Sequence, residues 1–244
     1  MTSEYPLSNN STEFKVILLE FIEIWFGLTV GNQYKQAEKI CTDFIAEYGS
    51  AFKMLTLRVV SDEYNLLFIS LIFVKGLQDY NQLLVMTENV DWHQDCSIVE
   101  RSWIKLCDCR ERIEYSSQCF KGQIIEEITK QLDDLGDFYP NTFEENNYIS
   151  SGIIVDKYLC NICNEDVRSC SHISGNLYGG KICNYKPINP RFDHVALVKV
   201  PKDPRCRIWP WNIQHDDDGK VTKFNIPIIM SGGISDFLDV VELS

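Results

Sequence analysis

The stretch Tyr158–Cys183, YLCNICNEDVRSCSHISGNLYGGKIC, gathers four of the chain's ten cysteines and one of its four histidines into twenty-six residues. Cys160 and Cys163 form a C-x-x-C pair, and Cys170, His172 and Cys183 follow at intervals of x6, x1 and x10. A C-x-x-C turn presents two thiolates to one point, and a tetrahedral ion such as zinc needs four donors of this soft or borderline kind. Five candidates therefore compete for four places. The expected ligand set is Cys160, Cys163, His172 and Cys183, because Cys170 and His172, two apart on a strand, leave little room for both to reach one ion. The alternative set pairs Cys170 with His172 and leaves Cys183 outside; a dinuclear arrangement is a third option. Gly175, Gly179 and Gly180 give so short a ligand loop the backbone freedom it needs.

A single structural Zn2+ is the cofactor expected of this pattern, since four protein donors leave no position for the water that a catalytic zinc keeps. The motif order resembles zinc ribbons and knuckles in general over about thirty residues, a structural solution that implies no single activity. In the helical half, His93 and Cys96 with Cys107, Cys109 and Cys119 are a weaker grouping. On a helix, Cys107 and Cys109 point about 200° apart and cannot share an ion.

Upstream of the cluster the sequence is helical. Asn10 with Glu13 suits a capping box ahead of the apolar run Phe14–Phe26, and Gly27 stands where a C-cap would. Tyr34, Ala37, Ile40, Cys41, Phe44, Ile45 and Tyr48 recur at three- and four-residue spacing, with Gly49 at the exit, and place Cys41 in a core. Further helices are expected over 51–60, from Ser61 or Asp62 to Lys75 before Gly76, over 79–86, from a Ser97/Glu100 capping box to Tyr115, and over 123–135 before Gly136.

The texture changes at FYPNTFEENNYISSG, which is rich in Asn, Pro, Ser and Glu and reads as a boundary near Asn147. Short β-like runs follow: GIIVDKYL, HVALVKV, RIWPW and VTKFNIPIIM, with Asp218-Gly219 as a hairpin signal. The fold class expected is α+β: an acidic all-α domain over 1–146, then a β-rich, zinc-ribbon or knuckle-like module over 147–244.

The chain is acidic, with a formal net charge of −12 over 244 residues. Residues 1–156 carry 12 basic against 25 acidic side chains, and 157–211 carry 9 against 4. The cysteine cluster therefore sits in a basic island. An acidic protein does not bind a phosphate polymer wholesale, but Arg168, Lys181, Arg205, Arg207, Trp209 and Trp211 mix cations with aromatics as binding hot spots do. A protein partner is the first expectation and nucleic acid through 157–211 the second, though the island can equally dock on the chain's own acidic half. The polar N-terminal residues and the short, charge-interrupted apolar runs predict no export signal and no membrane span, hence a cytoplasmic protein. No nucleophile elbow, Walker loop, dinucleotide fingerprint or H-E-x-x-H pair is present. His194, beside Asp193, is the first choice among the four histidines for acid–base chemistry, and Glu165 or Asp166 would serve only if the metal site had one ligand fewer. A binding or adaptor role is therefore expected ahead of an enzyme without a recognisable motif.

Overall fold

The computed structural model describes residues 11–56, 63–143, 147–215, 217, 218 and 221–224. Five α-helices come first: α1 (Ser11–Val30), α2 (Tyr34–Thr56), α3 (Glu63–Thr87), α4 (Cys96–Ser116) and α5 (Gln123–Thr142). Short antiparallel strands follow, so the class is α+β. None of the described helices is long and apolar enough to cross a membrane.

The helices are fewer and longer than the glycine spacing predicts. Gly27, Gly49, Gly76 and Gly136 all lie inside helices, so the expected piece over 51–60 is, as far as Thr56, the end of α2, its remainder lying outside the described residues, and the piece over 79–86 is the end of α3. Most helical stability comes from burying one face, which outweighs the cost of about 1 kcal/mol for an interior glycine. The residue that ends α1 is Asn32, in the left-handed region at φ 56°. The N-cap of α4 is Asp95, whose carboxylate accepts from the N–H groups of Ser97 and Ile98, and not Ser97. Asn10, Ser61 and Asp62 lie outside the described residues.

Two of these glycines have a packing reason. A Cβ on Gly76 would stand 3.0 Å from Ile113 Cδ1 and 3.3 Å from Arg112 Cβ, where α3 crosses α4. One on Gly136 would meet the Arg110 guanidinium, which donates to the carbonyl oxygen of Leu132 and to Asp133. Around Gly27 and Gly49 the space is open. Gly49→Ala is therefore expected to stabilise the chain by about 0.5–1 kcal/mol and Gly76→Ala to destabilise it by about 1–3 kcal/mol. Urea midpoints moving in opposite directions would check this pair.

Apolar helix faces, including Trp25, Cys41, Phe44, Phe68, Ile72, Leu77, Leu106 and Ile113, make the core. Within it lies a buried charge. Asp79 of α3 has a fully buried side chain and is paired with Lys75 and Lys105, each at 3.0 Å, and with Arg112.

The strands are β1 (Asn147–Ile154), β2 (Lys157–Cys160), β3 (Leu177–Tyr178), β4 (Lys181–Ile182), β5 (Tyr185–Ile188), β6 (Arg191–Val198), β7 (Arg207–Ile208), β8 (Ile213–His215) and β9 (Val221–Phe224). They form one three-stranded sheet in the order β6-β1-β7 and the hairpin-like pairs β2-β5, β3-β4 and β8-β9. The IPIIM part of the last apolar run lies outside the described residues. Helix gives way to strand between Thr142 and Asn147, yet one core cluster continues through both parts and includes Tyr148, Ile182 and Trp209.

The arm PKDPRCRIWPW, which the sequence suggests is an edge strand or exposed arm, lies against α4 and α5. β7 is an edge strand, but a buried one. Arg205 pairs with Asp108 at 2.7 Å, with Glu111, and with Asp203 at 3.1 Å. Arg207 is 1% exposed, and its guanidinium carbon stands 5.1 Å from the Trp103 ring and 4.4 Å from the Trp209 ring. Trp209, 3% exposed, stacks on Trp211 at 5.1 Å, and the Trp211 indole N–H donates to Glu100 at 2.6 Å. Four of the six expected partner-binding residues, Arg205, Arg207, Trp209 and Trp211, are thus engaged by the chain's own helices. The physical reason is charge and area: a basic, aromatic strip meets an acidic helix face, and each cation–aromatic contact gains about 2 kcal/mol when desolvated.

Candidate metal centre

β2 ends at Cys160, and the chain turns at once. The N–H of Asn164 donates to the Cys160 carbonyl at 2.8 Å, and the Cys160 N–H donates to the Glu165 carbonyl at 2.9 Å. Asn164 adopts φ 60°, a left-handed conformation that asparagine tolerates better than most residues. This fold-back sets Cys163 beside Cys160. A bridge between Leu159 and Asp166 then returns the chain alongside β2.

The next donors come from a loop. Residues 170–173 are neither helix nor strand, and the His172 backbone N–H turns back to donate to Cys170 Sγ at 3.2 Å. That turn brings His172 Nδ1 to 3.3 Å from Cys170 Sγ, while Cys163 Sγ and Cys170 Sγ lie 3.4 Å apart. The ligand atoms of Cys160, Cys163, Cys170 and His172 all fall within 4.8 Å of one another, close enough to bind one metal ion.

The close group is the alternative set, with Cys170 beside His172 and Cys183 outside, and not the set first expected. The objection to Cys170 assumed a strand, on which i and i+2 side chains run parallel. In a turn they converge. Cys183 is buried beside the cluster, its Sγ 3.8 Å from that of Cys160, and does not join the mutually close group. Its backbone serves the loop, with its N–H donating to the Asn176 carbonyl at 2.7 Å and its carbonyl accepting from the Gly175 N–H at 2.9 Å. Cys170→Ser should therefore abolish metal retention and Cys183→Ser should preserve it, as read by elemental analysis after gel filtration.

The electrostatics favour a thiolate at the turn. Burial raises the Cys160 thiol, but the N–H groups of Cys163 and Ile162 and the thiols of Cys170 and Cys163 outweigh it and bring it down to about 6. Hydrogen bonds to the charged form have this effect. Burial pushes Cys170 and Cys183 up to about 11, reinforced by their neighbours. One ready thiolate beside protonated thiols suits a site that gives up protons as metal enters.

Several residues support the site, and of these Asn161 and Asn65 went unread in the sequence. Tyr178 stands edge-on to the His172 ring at 4.6 Å, and the Tyr185 hydroxyl donates to the His172 carbonyl at 2.8 Å. Asn161 clamps the turn to the far strand, donating to the Ile182 carbonyl at 2.9 Å and accepting from the Asn184 N–H at 2.8 Å. The left-handed turn Gly179-Gly180 (φ 55° and 80°) closes β3-β4; Asn65 of α3 accepts the Gly180 N–H at 2.7 Å and anchors the loop to the helices. The asparagines beside the ligands were the available signal, since they favour turns and close them with side-chain bonds.

The remaining candidates are placed elsewhere. Arg168 is exposed and held to Asp166 at 2.7 Å, and that guanidinium lowers the Asp166 carboxyl below its ordinary range. Lys181 is exposed on β4. His194 sits above Gly152 and pairs with Asp193 at 2.8 Å, on a solvent-facing strand. Cys107 and Cys109 are buried helix residues whose thiols burial pushes up, and among the described residues they join no cluster of three or more metal donors. No protein-family model, curated protein or solved structure matches the chain.

Proposed function

We propose that the protein is a non-catalytic binding or adaptor protein in which one zinc ion rigidifies a small recognition module and the helices serve as its scaffold. The observation that carries this reading is the convergence of four protein donors, three sulfur and one nitrogen, on one point. Such a donor set suits zinc, and a tetrahedron filled by protein leaves no position for a reacting water. Cysteines kept as ligands also suit a reducing compartment, which supports the cytoplasm.

The surface offered to a partner lies around the metal loop. Lys157, Lys181 and Lys186 are exposed there, with Ile173 and Tyr158 beside them, and this mixture suits an acidic protein segment. A nucleic-acid reading has less support, because the aromatics that would stack on bases, Trp209 and Trp211, lie against the helices. A photo-crosslinking residue at position 181 tests the proposal. Adducts with protein from the cell of origin, formed by the zinc-loaded chain and lost when the metal is stripped, are expected. Adducts with nucleic acid alone, or none in either state, would sink it.

A further inference from the structure

Two apolar faces of the chain stand open to solvent, and their chemistries match. In β1 and β6 the register pairs Ile149 with Leu197, Ser151 with Val195 and, past a bulge, Ile153 with Phe192. Strand alternation puts these six on one face. Phe192 and Leu197 are each 68% exposed. On the opposite face Tyr148 and Val198 pack on the core. An antiparallel sheet with one face in water ordinarily turns its polar residues outward, and here the outer face is the apolar one. Among the described residues β6 is also a sheet edge.

The second face is on α1. Phe14, Leu18, Phe21 and Trp25 bury one stripe of this helix. Val16, Leu19, Phe26 and Val30 recur at alternating three- and four-residue steps through Glu23, and make a second, exposed stripe. Leu19 is 61% and Val30 65% exposed. Contiguous apolar patches of this kind on a soluble chain mark contact sites.

Charge decides what covers them. Glu23 lies within the α1 stripe and Glu20 beside it, with Lys15 at its start; Lys199 and Lys202 follow β6, both exposed, while Asp193 is turned to His194. One face is therefore apolar and mainly acidic, the other apolar and mainly basic. The chain already joins such surfaces once, where Arg205 docks on Asp108 and Glu111 of α4. We infer that a second copy of this chain is the partner: α1 of one copy lies across the outer β1-β6 face of the other. Helix on sheet is a stable layer arrangement. A two-fold axis repeats the contact in reverse and closes the pair. No metal ligand takes part, so this contact stands or falls apart from the zinc reading.

The test is the solution mass of the metal-loaded full chain by sedimentation velocity across a concentration series. The wild type is expected to move from 28.3 kDa toward twice that mass. Leu19→Lys and Leu197→Glu, both at exposed positions, should each weaken association at least tenfold with unchanged circular dichroism. An equimolar mixture of the two variants should associate again, because one of its two contacts is wholly wild type and the other sets Lys against Glu. A wild type that stays at the single-chain mass overturns the inference. So does association that Leu197→Glu abolishes and Leu19→Lys leaves intact, which would mean sheet against sheet, or a mixture that stays dissociated.

Discussion

Stripping the metal with a chelator is expected to melt residues 157–188 while the five helices persist. The loop from Cys160 to Cys183 has little core of its own; its short strand pairs β2-β5 and β3-β4 meet across a cluster of donor atoms. Without an ion, three thiols and an imidazole crowd into one small volume with only weak hydrogen bonds among them. Structural zinc in small modules contributes about 10–16 kcal/mol of apparent binding free energy at pH 7, as much as the whole stability of a typical domain. The helical core, from Phe14 to Leu132, contains none of the ligands, so the far-UV helical signal should survive. Hydrogen exchange resolved by residue is the measurement. Protection should vanish in β2-β5 and β3-β4 and remain in α3 and α4, and unchanged protection after chelation would remove the metal from the account. Acid should act like chelator: protons compete with metal for the thiolates, so metal is held at neutral pH and lost as pH falls.

Replacing Asp79 with Asn should cost about 3 kcal/mol, because removing one partner of a buried ion network leaves the others uncompensated. Lys75, Lys105 and Arg112 all turn their charges on this one carboxylate, and each is only partly exposed. Burial alone would raise the Asp79 pKa, but Arg112, Lys75 and Lys105 outweigh it and hold the carboxyl below its ordinary value of 3.8. A depressed folded value means the stabilisation is complete above the unfolded value and is lost as pH falls below about 4. Asp79→Asn should therefore lower the stability plateau at neutral pH and flatten the decline in acid. Urea titrations of both proteins at several pH values would show it; parallel curves would mean that Asp79 carries no such stabilisation. Arg112 also approaches Asp108 at 3.9 Å, and Asp108 holds Arg205. The network thus links α3 to the arm before β7, and an Arg205→Ala variant should loosen that arm.

The cysteine cluster was legible because metal binding needs particular side chains at particular spacing, and spacing is a property of sequence. Which four donors converge was not. The choice between Cys170 and Cys183 turned on whether 170–172 is strand or loop, and that depends on the fold-back at Asn164 and the pairing of β2 with β5. The helices were legible by their apolar period and their ends were not, since Gly49 and Gly76 remain helical under packing forces that a local window does not contain.

The sequence by itself determined the α+β order, the buried face of α2 around Cys41 and the presence of a metal-type donor set, all of which follow from local period, turn chemistry and residue type. Tertiary structure decided the rest. Arg205, Arg207, Trp209 and Trp211 read in one dimension as a surface for a partner or for the chain's own acidic half, and only the approach of the arm to α4 turns them inward. Asp79 reads only as the start of a short helix until three cations from two helices close on it. Long-range contact fixes such roles because burial and charge pairing depend on distance in space, and a chain of residue types does not state those distances.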